Sequence, residues 1–349
     1  MSATAAQRKL APRTVNQDTR SKMKPLNRPI IRIMAILWLV SGFGKIFCQA
    51  ETAAGGGMHS FSQIHMGGPV RLLLQAPDRA TAEKAATAAF ARVAELEAVF
   101  SDYRPDSEIE RLARRDPSTF HPVSPDLWTV LDAALELAER TDGAFDVTAG
   151  ALTRLWREAR HRGEPPEAKA IEEARRLTGW KHLALDAETR SVRLARPGLR
   201  LDFGGIAKGH AGDEVLRLLR ERGLPIALYQ AGGDIVAGAP PPGASGWPVR
   251  IDGAPKGRIL YLAHAALSTS GDAEQHLPTE TGRLSHILDP RTGEAVRNSP
   301  METILAPDGL TADSLATALS VLSPATARQL LATHYPEARQ LPGAEPPDD

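Results

Sequence analysis

Residues 201–213, LDFGGIAKGHAGD, combine groups that can bind a phosphate: an aspartate, two adjacent glycines and a lysine at the start of a helical pattern. Adjacent glycines let the backbone approach a ligand closely, and a helix N-terminus offers free N–H groups and a positive dipole end to an anion. Lys208 adds a point charge and Asp202 adds an acceptor. The spacing matches neither a Walker A loop nor G-x-G-x-x-G, so an ordinary strand-to-helix turn stays an alternative.

Two further stretches carry groups for cation binding and proton transfer. In LTADSLATALSVL (310–322), Asp313 and Thr317 are four residues apart and share one face at the first turn of a helix. Their hard oxygens suit Mg²⁺, although an aspartate there also complements the helix dipole without a metal. In RLSHILDPRTGEAV (283–296), His286 lies on a short apolar strand and is a candidate base or a structural histidine.

Two glycine-containing bends complete the set of candidate sites. TDGAFDVTAG (141–150) ends a helix at a glycine and places Phe145 and Asp146 on the following loop. YQAGGDIVAG (229–238) ends an apolar strand in two glycines and Asp234, a pattern typical of a tight bend near a ligand or near another backbone. By itself the first bend is more typical of a helix end with a core phenylalanine, and the second is equally compatible with a purely structural role.

Hydrophobic periodicity indicates which elements must position these residues. It predicts an amphipathic helix over 78–100, one that starts at Ser124, one over 166–177, one after Lys208 and a last one over about 311–322. Predicted strands cover 66–77, 182–186, 191–194, 199–202, 226–231, 247–252, 258–262 and 284–288. Because strands and helices mix without a regular βαβ alternation, we predict an α+β fold in one compact unit.

The first 50 residues have the pattern of a signal peptide. From Met23, a basic segment precedes an apolar stretch over 33–43 and a small-x-small site that ends at Ala50. The apolar stretch is short for a membrane span, so export is favoured over an uncleaved anchor. We therefore expect a signal over 1–50, a tether over 51–64, a folded domain over 65–335 and a disordered tail over 336–349.

Composition and cysteine usage exclude several other classes of protein. Lys plus Arg and Asp plus Glu both number 42, so no general attraction to nucleic acid is expected. Cys48 is the only cysteine and falls within the predicted signal. An intrachain disulfide and a cysteine-cluster metal site are therefore both excluded.

Taken together, eight stretches resemble the ApbE family of flavin transferases, the FAD:protein FMN transferases. They follow the family's order and are MGG (66–68), FSDYRPDSEIERL (100–112), TDGAFDVTAGAL (141–152), LDFGGIAKGHAGD (201–213), AGGDI, STSGD (268–272), SHILDPRTG and TADSLATAL. The resemblance implies a T-fold-like α+β unit. It also implies an exported enzyme that uses Mg²⁺ to split FAD, moves FMN to a threonine or serine hydroxyl of a respiratory membrane protein and releases AMP.

The resemblance also implies a role for each matching residue. The residues expected to bind FAD are Met66, Tyr103, Ala144, Phe145, Asp146, Asp202, Lys208 and Ile287. The residues expected to hold Mg²⁺ are Gly205, through its carbonyl, Asp313 and Thr317, while His286 is the expected base for the acceptor hydroxyl. Family acceptors carry Asp-x-x-(Ser/Thr)-Gly-Ala-(Ser/Thr), and because this chain has no copy, the acceptor is expected to be another protein.

Departures from the family pattern keep two alternatives open. Gln230 stands where the family usually has asparagine, and Ala273 and Gln275 stand where it has an aromatic residue and an arginine. A flavin-binding protein without catalysis is therefore one alternative. The other is an FAD hydrolase that uses water instead of a protein hydroxyl and yields FMN and AMP. The C-terminus also looks short, so a closing strand is expected to be missing.

Overall fold

The computed structural model describes residues 56–251, 259–271, 275–279, 282–299 and 301–342. The predicted signal peptide, the first five residues of the predicted tether, Ala273 and residues 343–349 lie outside the described residues. Within the described ranges, no helix is both long enough and apolar enough to cross a membrane.

Helices and strands alternate irregularly along the described chain. The helices are α1 Arg79–Phe100, α2 Glu108–Leu112, α3 Pro125–Arg140, α4 Gly150–Arg162, α5 Ala168–Arg176, α6 Ala207–Glu221, α7 Gly309–Leu319 and α8 Pro324–His334, with a 3-10 turn at Trp180–His182. The strands are β1 Gly57–His65, β2 Gly68–Ala76, β3 His121–Pro122, β4 Leu183–Asp186, β5 Ser191–Leu194, β6 Ala227–Ala231, β7 Asp234–Ala237, β8 Trp247–Arg250, β9 Ile259–Leu262, β10 Ala265–Ser270, β11 His276–Thr279, β12 Gly282–Asp289, β13 Glu294–Arg297, β14 Glu302–Ala306 and β15 Arg339–Leu341.

A seven-stranded sheet in the order β1-β2-β6-β7-β10-β14-β15 is the main layer. Every neighbouring pair in it is antiparallel. Side chains alternate between the two faces of a strand, so along β6 Leu228 faces one side and Tyr229 the other. The helices α1, α6 and α7 cover the Tyr229 side and bury the largest apolar cluster of the described chain.

Smaller apolar clusters close the remaining faces. The β8–β9 hairpin places Trp247, Val249 and Leu262 on the other face of the main sheet, where they pack with Leu228 and Leu267. A third cluster joins α4 and α5 to the small β11-β12-β13 sheet. Fully burying a leucine or valine side chain stabilises a fold by about 1.5–3 kcal/mol, so these clusters hold the peripheral elements in place.

The structure confirms the predicted α+β class and most of the predicted elements. The helices expected over 78–100 and from Ser124 correspond to α1 and α3, and each is capped as its sequence indicates. Asp78 accepts a hydrogen bond from the Thr81 amide, and Ser124 accepts one from the Leu127 amide. Such caps satisfy amide groups that have no partner within the helix.

Four predictions about individual segments were wrong. Residues 199–202 form no strand, and only an isolated bridge joins Arg200 to Ala149. The helix over 309–319 is not the last, because α8 follows from a Ser323 cap and a proline in its first turn. From residue 57 on, the expected tether is strand β1, which pairs along its whole length with β2. The closing strand expected to be missing is β15, which pairs with β14 inside the expected tail.

Both terminal strands escaped prediction for one physical reason. The β1 residues are mostly half-buried or exposed, and two of the three β15 residues are exposed, so neither segment has an apolar run. Their backbone hydrogen bonds to a neighbouring strand hold them, and a partner distant in sequence leaves no local signal.

Helices α6 and α7 cross at two glycines. A Cβ atom on Gly209 would collide with the carbonyl oxygen of Gly309, and a Cβ on Gly309 would collide with the carbonyl oxygen of Gly209. The two backbones are therefore in direct contact at this point. This contact sets the distance between the lysine at the start of α6 and the aspartate on α7.

We expect Gly209→Ala to separate α6 from α7 and to lower the free energy of unfolding by about 1–3 kcal/mol, the usual cost of overpacking. Urea denaturation of the purified protein measures this change. Gly68→Ala is the matched control, since a Cβ there meets no atom within 4 Å, and it should change stability by less than about 0.5 kcal/mol. Equal stability of the two variants would contradict the close contact.

Candidate active site

Lys208 brings together two buried carboxylates from different elements. Its Nζ lies 2.6 Å from Oδ2 of Asp234 at the start of β7 and 3.5 Å from Oδ2 of Asp313 on α7. Only 5% and 2% of the two aspartate side chains are exposed. Because a buried carboxylate without a partner is costly, these three groups form one electrostatic unit, called here the carboxylate–lysine cluster.

Neighbouring donors complete the cluster. The Ser268 hydroxyl donates to Oδ1 of Asp234, and the Gly209 amide donates to Oδ2 of Asp313 over 3.0 Å. Burial and the nearby charge of Asp234 raise the pKa of Asp313 well above its usual range, although Lys208 opposes that shift. Burial by itself would lower the pKa of Lys208, but the two aspartates outweigh it and raise that pKa, so the lysine is cationic.

The three residues expected to hold Mg²⁺ lie together beside this cluster. Thr317 is one turn beyond Asp313 on α7, and its side chain lies so close to Gly205 that a Cβ there would fall 2.6 Å from the threonine Oγ1. Ser270 contributes another hydroxyl, 3.4 Å from the same oxygen. Carboxylate, hydroxyl and carbonyl oxygens are hard ligands that fit Mg²⁺.

The donor set also indicates how tightly a cation would be enclosed. Among the described residues, no group of three or more His, Cys, Asp or Glu side chains could hold a metal ion. A cation beside Asp313 would therefore depend largely on neutral oxygens, and Mg²⁺ in such sites keeps water or phosphate oxygens in its coordination shell.

Asp213, which the sequence analysis did not single out, fixes the start of α7. Its carboxylate accepts hydrogen bonds from the backbone amides of Gly309 at 2.7 Å and Leu310 at 2.9 Å. Burial raises its pKa to about 6. These bonds tie α6 to the first turn of α7 and thereby hold Asp313 in position. The available signal was its place at the end of the LDFGGIAKGHAGD stretch, four residues after Gly209.

The loop before α6 connects the cluster to an exposed aromatic ring. Asp202 accepts a hydrogen bond from the Gly204 amide at 2.7 Å, and the Gly204 carbonyl lies 3.3 Å from Nζ of Lys208. On its other side, Asp202 lies 4.0 Å from the guanidinium of Arg157, which covers the Tyr103 ring at 4.1 Å. Tyr103 is 72% exposed, so this surface is open to a planar ligand.

Arg157 is a second residue that sequence reasoning missed. It pairs with Asp102 at 2.9 Å, and this ion pair joins α4 to the chain segment that carries Tyr103. No motif pointed to this arginine, because its three partners lie about 45 and 55 residues away in sequence.

Ala144, Phe145 and Asp146 lie in a well-packed loop. They are 2%, 5% and 9% exposed. The Asp146 carboxylate accepts hydrogen bonds from the backbone amides of Thr148 at 2.8 Å and Trp180 at 2.9 Å, and burial raises its pKa. In this structure the carboxylate stabilises the loop, and the expected contacts of the three residues with a flavin stay predictions.

Met66 lies at the tip of the β1–β2 hairpin. Its φ of 50° and that of Gly67, 82°, are typical of the left-handed residues of a tight hairpin turn. The Met66 amide donates to Oε1 of Glu97 on α1 over 3.0 Å, which ties the turn to the helix. The contact of Met66 with FAD stays a prediction.

His286 and Ile287 lie on β12, in a different sheet from Asp234. His286 Nδ1 is 3.1 Å from the carbonyl oxygen of Gln275, which also accepts from the His286 backbone amide. Since a carbonyl only accepts, Nδ1 carries the proton in this hydrogen bond, and Nε2 is the basic nitrogen of the neutral ring. Ile287 is buried, with 6% exposed.

Comparisons with known proteins agree with this architecture. The family model described as the ApbE family matches residues 66–340. The FAD:protein FMN transferase of Vibrio cholerae is 31% identical over 281 residues, which cover 74% of this chain and 81% of the relative. The relative of the same name from Treponema pallidum is 31% identical over 275 residues, 73% of this chain and 74% of its own length.

Solved structures resemble the fold to a similar extent. The crystal structure of the Pseudomonas stutzeri flavinyl transferase ApbE in its apo form gives a TM-score of 0.71 at 31% identity, covering 78% of this chain and 87% of the other. The flavin transferase ApbE from Vibrio cholerae gives 0.71 at 28% identity, with 82% and 92% covered. The matched range includes the strands β2, β6, β7, β10 and β14 of the main sheet and every residue of the carboxylate–lysine cluster, and the chain belongs to the ApbE family.

Proposed function

We propose that this chain is an FAD:protein FMN transferase that moves FMN from FAD to a serine or threonine hydroxyl of an acceptor protein, uses Mg²⁺ and releases AMP. The observation that carries the proposal is the carboxylate–lysine cluster beside Gly205 and Thr317, which places a cation, two carboxylates and several hard oxygens next to a helix N-terminus. The relatives from Vibrio cholerae and Treponema pallidum are both named FAD:protein FMN transferase, which supports this proposal.

The proposed reaction is a phosphoryl transfer. The acceptor hydroxyl oxygen attacks the phosphorus of the FMN half, the bond from that phosphorus to the bridging oxygen breaks, and AMP leaves with the bridging oxygen. The hydroxyl proton passes to a base. Such a reaction depends on positioning and on neutralising charge on the phosphate oxygens. When bound, Mg²⁺ supplies part of that neutralisation.

Lys208 and the start of α6 supply the protein's own positive potential. The lysine stands in the first turn of α6, where the helix dipole favours an anion, and 29% of its side chain is exposed. Its ammonium can bind a non-bridging phosphate oxygen. Asp313 and Thr317, with the Gly205 carbonyl, would hold the metal beside this lysine.

His286 is the proposed base for the acceptor hydroxyl. The hydrogen bond of Nδ1 to the Gln275 carbonyl selects the tautomer in which Nε2 accepts a proton. The same hydrogen bond fixes the orientation of the ring. Gln275 immediately precedes β11, the strand that pairs with β12. A base that is fixed in this way loses little conformational entropy when the hydroxyl arrives.

We expect Asp313→Asn to abolish FMN transfer, because the variant loses the carboxylate charge at the metal site. The assay incubates the purified protein, without residues 1–50, with FAD, Mg²⁺ and a peptide that carries Asp-x-x-Thr-Gly-Ala-Thr, and mass spectrometry detects the covalent FMN adduct. Asp132→Asn is the matched control, since this exposed aspartate on α3 lies outside the site, and it should transfer FMN as the unaltered protein does.

Two other outcomes of this assay would contradict the proposed activity and indicate a different one. Free FMN and AMP without an adduct would identify an FAD hydrolase. FAD that is bound but unchanged, in the unaltered protein and in Asp313→Asn alike, would identify a flavin-binding protein without catalysis.

For His286→Asn we expect slower transfer at nearly unchanged FAD affinity. A general base of this kind contributes about 10²- to 10⁴-fold in rate, and asparagine can still donate to the Gln275 carbonyl. Single-turnover rates and a separate FAD titration measure the two quantities. A loss of FAD affinity without a loss of rate would show that the histidine only binds the nucleotide.

We also propose that the protein is exported and acts on a subunit of a respiratory or redox membrane complex. The basic and apolar segments after Met23 and the small residues up to Ala50 support this proposal. Intact-mass measurement of the protein recovered from its native cells should give a chain that starts near Glu51. A recovered chain that still contains residues 23–50 would contradict cleavage, and recovery from the cytoplasm would contradict export.

A further inference from the structure

The hydroxyl of Tyr229 is buried without a hydrogen-bond partner in the described chain. The residue is 1% exposed, and its Oη is among the buried polar atoms that have no partner there. A buried hydroxyl that makes no hydrogen bond costs stability, and phenylalanine would fill the same space without that cost.

The strand register places Tyr229 next to the carboxylate–lysine cluster. On β6 and β7, Tyr229 is opposite Val236 and Ala231 is opposite Asp234. Tyr229 and Asp234 are therefore diagonal neighbours that point to the same face of the sheet, the face that α6 and α7 cover. On that face a diagonal pair is within reach of a side chain as long as tyrosine.

Helix α6 fixes the ring in this position. A Cβ on Gly212 would lie 2.8 Å from Cδ1 of Tyr229, so the ring packs directly against the helix backbone. Gly212 is one turn beyond Lys208, which contacts Asp234 from the same side of α6. Burial, and after it the charge of Asp234, raises the pKa of Tyr229, so the phenol keeps its proton and can donate.

The present partner of Asp234 is also the residue that must bind the substrate. Lys208 contacts Oδ2 of Asp234, while Ser268 donates to Oδ1. If the ammonium of Lys208 turns to a phosphate, Oδ2 loses its partner. Asp234 is 5% exposed with the lysine in place, and a buried carboxylate that loses its partner is costly.

We propose that Tyr229 is a positioning residue that donates a hydrogen bond to Asp234 when Lys208 turns to the diphosphate of the substrate. This inference rests on the proposed function, in which Lys208 binds the dinucleotide. The tyrosine keeps Asp234 charged and in place during that movement, so that the lysine can leave and return. Its hydroxyl lacks a partner in the structure, where Lys208 satisfies the carboxylate.

A ligand-free double-mutant cycle tests the donor role directly. Tyr229→Phe is introduced into the unaltered protein and into Lys208→Met, in which Asp234 has permanently lost its lysine, and thermal midpoints are measured. We expect Tyr229→Phe to leave the midpoint unchanged or higher in the unaltered protein, and to lower it by about 2 °C or more in Lys208→Met. Tyr261→Phe, on the exposed side of β9, is the control and should change neither midpoint.

A second measurement follows the hydroxyl when the ligand binds. With the four tyrosines labelled at Cζ and Tyr229→Phe used to assign the signal, the Tyr229 resonance should shift when FAD and Mg²⁺ are added. Tyr229→Phe should also weaken FAD binding by about tenfold, the effect of losing one hydrogen bond to a charged group.

Equal effects of Tyr229→Phe in both backgrounds, or an unmoved resonance with unchanged FAD affinity, would overturn the proposal. If Lys208→Met does not fold, the FAD titration and the resonance decide alone. If the unaltered protein binds FAD but transfers no FMN, the proposed function fails while the cycle and the titration still report on Tyr229.

Discussion

One lysine contacts two buried carboxyl groups that come from two different elements, and the rest of the site depends on this interaction. Lys208 reaches Asp234 at the start of β7 and Asp313 on α7. Without the ammonium, two like charges would face each other in a region that excludes water. The lysine therefore holds the sheet, α6 and α7 in register, and the same charge is the feature that an anionic substrate would use.

Glycine allows this arrangement because two helix backbones touch and a loop backbone packs against a side chain at one place. Gly209 and Gly309 let α6 and α7 touch, and Gly205 lets the preceding loop reach Thr317. Any side chain at these positions would increase the separation of the elements and move the lysine away from its carboxylates. Asp213 adds two hydrogen bonds from α6 to the first turn of α7, so the crossing is fixed on both sides.

The same geometry allows the contacts of the cluster to change when a substrate binds. In the structure Lys208 offsets the buried carboxylates, the Ser268 hydroxyl donates to Asp234, and Tyr229 is a diagonal neighbour of Asp234 on the adjacent strand. A substrate phosphate and a cation would redistribute these contacts without leaving a buried charge alone. A buried polar network is stable only when every polar group in it has a hydrogen-bond partner in each state. This requirement explains why hydroxyl groups surround the cluster.

The sequence by itself determined the α+β class, the main helices and the short motifs that resemble the ApbE family, because periodicity, caps and glycine pairs are local properties. It brought Asp313 and Thr317 to one helical face, and the structure places Gly205 beside them. Tertiary structure alone decided that Asp234 shares a lysine with Asp313, that Asp213 anchors α7 and that Arg157 covers Tyr103. It also decided that β1 and β15 complete the main sheet. These contacts join residues tens of positions apart, and only the packing of helices on a sheet of fixed register brings such groups within hydrogen-bonding distance.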